Sequence, residues 1–135
     1  MPETHIYEPI GTTITDFGDG RIELVYGRTA QTPQEVLEQG LWLKEKLHAI
    51  FQKRNNENFQ YTLLADLSKL HAINLDEAAQ KLYKEIIDLP TIGKIAIVGD
   101  GFSLTSIMPL LLSVAQKEKV KFFFKIIEAK DWLGW

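Results

Sequence analysis

The sequence predicts a single α/β domain over residues 1–135, built on a mixed sheet of four or five strands with about four helices and an N-terminal β-hairpin. Three observations predict it. Apolar runs of strand character alternate with stretches of helical period, an order that implies parallel pairing and right-handed crossovers. Gly18-Asp19-Gly20 separates two short alternating segments, the pattern of a hairpin. No linker, repeat or low-complexity tract interrupts the series.

The hairpin is read over Ile10 to Tyr26, where Ile22, Leu24 and Tyr26 alternate with Arg21, Glu23 and Val25 and the turn residues tolerate positive φ. Thr32-Pro33-Gln34-Glu35 then starts a helix: Thr32 caps, Pro33 suits the first helical position and Glu35 completes a capping box. That helix runs to about Arg54, with Val36, Leu37, Gly40, Leu41, Leu43, Leu47, Ile50 and Phe51 on its apolar face. Gly40 lies near the centre of the face, where a missing side chain permits close approach to the sheet. Asn55 to Asn58 is a polar loop, and Phe59 to Asp66 the next strand.

Unbroken apolar character over Thr62–Ala65 and Lys94–Val98 marks these two segments as adjacent, central strands. Between them Asn74 and Glu77 make a second capping box, and Leu75, Ala78, Ala79, Leu82, Ile86 and Leu89 share a helical face. Phe102 to Gln116 is the third helix. Pro109 lies either inside it, freeing the carbonyl of Thr105, or in the first turn of a helix starting at Ser106. Lys117-Glu118-Lys119 is a charged turn, Val120 to Phe124 a strand and Ile126 to Leu133 a terminal helix.

Composition removes several function classes. The net charge of −3 comes from 15 basic and 18 acidic residues with no basic stripe, so nucleic acid is not the expected partner. There are no cysteines, hence no disulfide framework, thiolate metal site or cysteine nucleophile. The first residues carry no signal-peptide pattern. The longest uncharged apolar stretch, Phe102 to Gln116, is too short and too rich in hydroxyl groups to span a membrane. A cytoplasmic location follows as the expectation. His5, His48 and His71 have no nucleophile, carboxylate or second histidine at a recognisable spacing, so no catalytic residue, metal or cofactor is expected.

A family resemblance enters at Leu63-Leu64-Ala65-Asp66-Leu67-Ser68, an apolar strand ending on Asp-Leu-Ser shortly before a capped helix. The layout resembles the STAS fold of the bacterial anti-sigma antagonist SpoIIAA. Asp19-Gly20-Arg21-Ile22-Glu23-Leu24, the strand Ile95 to Gly99, the strand Lys121 to Phe124 and the ending Glu128 to Leu133 resemble bacterial SpoIIAA-like proteins of unknown function. The resemblance covers roughly Ile14 to Leu133. It implies a non-catalytic regulatory module that binds a protein partner or itself. It also implies a regulatory loop made here of Asp66, Ser68, Asn74, Asp76 and Glu77. The antagonists carry Asp-Ser-Ser-Gly in that loop, and a partner kinase phosphorylates one serine; this chain has Asn74-Leu75-Asp76-Glu77, with Asp76 at the acceptor position. Kinase control is therefore not expected. Asp76 reads first as a favoured residue near a helix start and second as a fixed mimic of the phosphate charge.

Two further places stand out. Val98-Gly99-Asp100-Gly101-Phe102-Ser103 runs from a strand into a helix, so Gly99, Gly101 and Ser103 could hold an anion, although no Walker lysine follows and the loop also reads as an ordinary turn. Trp42 is placed by the helical wheel on the outer, charged face with Glu38, Gln39, Glu45 and Lys46. There it is either an association surface, a homodimer being the simplest case, or a residue covered by a neighbouring segment. The alternative function is the binding of a small apolar or anionic ligand, as in the CRAL-TRIO-like lipid- or nucleotide-binding fold. Phe102, Leu104, Ile107, Met108 and Phe122 to Phe124 would then line the pocket.

Overall fold

Six strands pair side by side in the order in which the chain makes them: β1 (Glu3–Tyr7), β2 (Thr12–Asp16), β3 (Arg21–Val25), β4 (Tyr61–Asp66), β5 (Ile92–Val98) and β6 (Val120–Phe123). The computed structural model describes residues 2–30, 32–54 and 59–135, and the polar loop expected at 55–58 lies outside them. β1, β2 and β3 are antiparallel, whereas β3 through β6 are parallel. Each parallel step is made by one helix: α1 (Pro33–Gln52), α2 (Glu77–Ile87) and α3 (Gly101–Ser113). A final helix, α4 (Ile126–Leu133), follows β6.

The two-residue period of the strands assigns the helices to layers. Ile22 and Leu24, Leu63 and Ala65, and Ile95 and Ile97 point to one face. There they meet Leu43 and Leu47 of α1, Leu82 and Ile86 of α2, and Ile107 and Leu110 of α3. The intervening Leu64, Ala96 and Val98 point to the other face and meet Ala129 and Leu133 of α4. β4 and β5 are apolar at successive positions because helices cover both their faces. They are interior and adjacent, as their sequence indicates.

Several local expectations hold in detail. Thr32 accepts the backbone N–H of Glu35 at 3.2 Å, with Pro33 opening α1. The hairpin turn uses Gly18 and Gly20 at φ of 85° and 97°, a region that only glycine enters without strain. α3 begins at Gly101, so Pro109 is internal, and its ring lies on the exposed side.

Other expectations are corrected. The sheet has six strands, because Glu3–Tyr7 adds an outer strand whose sequence carries little apolar signal. Asp76, not Asn74, caps α2, accepting the backbone N–H of Ala79 at 2.8 Å, and Glu77 begins the helix. Gly40 does permit a close approach, but to α2 and not to the sheet: a Cβ there would come within 2.8 Å of Leu82 Cδ2. The wheel drawn for α1 is rotated. Leu41 is 53% exposed, Gln39 is buried, and Trp42 is half-buried with its ring 5.4 Å from that of Tyr7. The unforeseen β1 supplies that ring, and Gln39 turns inward because the hydroxyl of Thr12 meets it there.

Candidate functional site

Between the sheet and its three-helix layer lies a cavity of about 110 Å³. Its deep wall is aliphatic: Leu63, Ile95 and Ile97 from the sheet face Leu47, Ile107 and Leu110 from the helices. Its roof is the segment after β4, where Leu67, Leu70, Ile73 and Leu75 turn inward. It therefore lies near the carboxyl ends of β3, β4 and β5, where open α/β sheets hold their ligands.

One end of the cavity is polar. Tyr26 comes from just past the end of β3, Gln39 from α1 and Tyr83 from α2, with Arg28 and Asn74 beside them. Arg28 is exposed, and its guanidinium pairs with Glu35 at 2.8 Å and reaches the carbonyl oxygen of Pro9. Asn74 donates to the carbonyl oxygen of Ala30 at 3.3 Å, tying the roof to the β3–α1 loop.

A chain of hydrogen bonds sets the orientation of the inner groups. The N–H of Gly27 donates to the hydroxyl of Thr12 at 3.1 Å, and that hydroxyl donates to Oε1 of Gln39. Burial pushes the Tyr26 phenol well above its ordinary range, and the neighbouring Tyr83 adds to the shift. Burial also pushes Tyr83 up to about 12, although the Tyr26 and Gln39 side chains beside it oppose the rise.

The residues expected to form a regulatory loop are divided between the turn after β4 and the start of α2. Asp66 accepts the backbone N–H of Ser68 at 2.9 Å, and Ser68 is exposed. Asp76 is occupied as a cap, Glu77 is exposed, and only Asn74 among the five lines the cavity. The start of α3 is closed by its own sequence: Asp100 accepts the N–H of Ser103 at 2.8 Å, and the backbone and hydroxyl of Ser103 hold its carboxyl below the usual range. Ser103 is 1% exposed, and a Cβ at Gly99 would lie 3.0 Å from it, so this turn is packed. Of the pocket residues expected from the sequence, only Ile107 lines the cavity.

The sequence does not mark Tyr26, Gln39 and Tyr83 as a group. Tyr83 stands four residues after Ala79 and one turn before Ile87, so the helical period already puts it on the inner face of α2. Gln39 carries no such signal, since its burial depends on a partner from another strand. Among the described residues no group of histidine, aspartate and glutamate side chains could hold a metal ion, and no helix is long and apolar enough to cross a membrane.

The class defined by this architecture is the SpoIIAA-like α/β fold. Within it, an uncharacterized protein of the DUF3478 family with a SpoIIAA-like fold, from Shewanella loihica PV-4, matches over 98% of this chain and 95% of its own, with a TM-score of 0.56 and 19% sequence identity. That identity establishes a common fold and nothing finer. No family model and no curated protein matches the chain.

Proposed function

We propose that this protein is a non-catalytic binding module that encloses one small, largely apolar molecule between the sheet and α1–α3. The cavity of about 110 Å³ carries the reading. Left empty, a void of that size costs about 2.6 kcal/mol at about 24 cal/mol per Å³. An apolar occupant restores the lost contacts and recovers part of that cost. Native mass spectrometry of gently isolated protein tests the idea. A bound small molecule, lost when Ala65→Leu fills the space, supports it; a mass equal to the bare chain and no stabilisation by any small apolar compound sinks it.

A protein-interaction module is the second reading, with a second copy of the chain as partner. Leu41 favours it, since it is exposed on the outer face of α1 between Glu38 and Glu45, next to Trp42 and near Lys46. Sedimentation of the wild-type chain and of Leu41→Glu decides: a dimer that the substitution dissociates supports association through this face, and a monomer in both cases removes it.

A further inference from the structure

A second cavity, of about 230 Å³, lies at the amino ends of β4, β5 and β6, and none of its described lining residues borders the first. Its wall carries one charge of each sign: Asp88, just after α2, and Lys119, just before β6. The sequence reads Lys117-Glu118-Lys119 as a charged turn, yet Lys119 is only 7% exposed. Among the described residues the two charges make no ion pair with each other, and each is held elsewhere. Asp88 pairs through Oδ2 with Lys84 Nζ at 2.8 Å, and its Oδ1 accepts the backbone N–H of Ala115 at 3.1 Å. Lys119 Nζ donates to the carbonyl oxygen of Leu89 at 2.8 Å. An ammonium has further N–H groups to give and a carboxylate further lone pairs to fill, so both keep capacity for a ligand. Burial holds Lys119 below its ordinary range, and the charge of Asp88 offsets this only in part. A buried cation without a close counter-charge is stabilised by any molecule that supplies one.

We propose that this cavity is a second binding site whose ligand is a small zwitterion of the α-amino acid class. The carboxylate of the ligand accepts from Lys119, and its ammonium donates to Asp88. Gln60 offers a further acceptor: its amide nitrogen donates to the carbonyl oxygen of Pro90 at 3.3 Å, and its amide oxygen lies over Gly93, 3.0 Å from where a Cβ would stand. The side chain of the ligand lies against Pro90, Ile92 and Ala115. The size is sufficient, since a cavity of about 150 Å³ already accommodates the six carbons of benzene. A simple anion is disfavoured because Asp88 would face it, and a simple cation because Lys119 would; a zwitterion answers both charges.

Isothermal titration of the full chain with L-alanine, propionate and ethylamine tests the proposal, the last two being alanine without its ammonium and without its carboxylate. Alanine should bind about ten-fold or more tightly than either, the worth of one charge-assisted hydrogen bond. Lys119→Met and Asp88→Asn, each checked for folding by circular dichroism, should each weaken alanine by about ten-fold or more. Propionate or ethylamine binding as tightly as alanine overturns the zwitterion assignment. An alanine affinity unmoved by both substitutions overturns the site, and no binding of any of the three overturns the proposal outright. Should either variant fail to fold, amide chemical shifts of the wild type decide: alanine should move Gly93 and Ala115, and shifts confined to other regions overturn the site.

Discussion

The two faces of the sheet are packed by opposite means. On the α4 side, alanine meets alanine: Ala96 of β5 and Ala129 of α4 are fully buried beside Leu64, and Trp132 and Trp135 close the margin. Small residues let the helix lie close to the strands, and the large rings seal what remains. On the other side, long aliphatic residues hold three helices off the sheet and leave a cavity between them. One strand pair, β4 with β5, serves both arrangements at alternate positions. The difference teaches that the void is a local product of side-chain choice on one face.

The largest test strikes the tight face. Leu64→Ala removes a side chain with no exposed surface and should lower stability by about 3–5 kcal/mol, read as a shift of the urea midpoint with an unchanged slope. A loss under about 1 kcal/mol would mean that the α4 face collapses easily and is no tighter than the other.

The alkaline limb of stability distinguishes the faces by chemistry. Tyr7, Tyr26, Tyr61 and Tyr83, all on the three-helix side, have phenols held above the ordinary value of 10.0, chiefly by burial. A raised acid keeps its proton longer folded than unfolded. Its contribution is therefore complete below pH 10 and is lost as pH climbs through the folded value, about 12 for Tyr83. Stability should fall above pH 10 by up to about 1.4 kcal/mol per pH unit for each of the two strongly shifted phenols, Tyr26 and Tyr83. Urea titrations at pH 9, 10 and 11 measure the slope, and Tyr83→Phe should reduce it.

How much of this contrast is legible in the sequence depends on the distance over which each signal acts. Thr32, Pro33 and Gly18 act within a few residues, so the helix start and the hairpin turn are readable directly. The unbroken apolar runs of Thr62–Ala65 and Lys94–Val98 report burial on two faces, and so identify interior strands. β1 is not legible because an outer strand needs few apolar residues, and Glu3-Thr4-His5 reads as a polar segment. The cavity is not legible at all. Leu63 and Leu64 look alike in sequence, yet one borders the void and the other is locked against α4, because the separation of helix and sheet is set by residues distant in the chain.

A matched pair of substitutions sharpens the contrast further. Ala65 borders the cavity and Ala96 faces α4, on neighbouring strands. Ala65→Val should stabilise by about 1 kcal/mol through filling space, while Ala96→Val should destabilise by about 2 kcal/mol through overpacking. Equal signs in thermal unfolding would erase the distinction between the faces.

The smallest effect belongs to the seal of the tight face. Trp135 Nε1 donates to the hydroxyl of Thr62 at 2.8 Å. Trp135→Phe should cost about 1 kcal/mol, measured by the same denaturation, with Phe17 keeping an aromatic neighbour at its ring.

The order of the strands has a consequence for how the protein is made. Every strand pairs with the one synthesised just before it, and none has to be inserted between two that are already joined. A ribosome releasing this chain from its N-terminus therefore presents a sheet that grows at one edge only, and each emerging strand finds its template already waiting there.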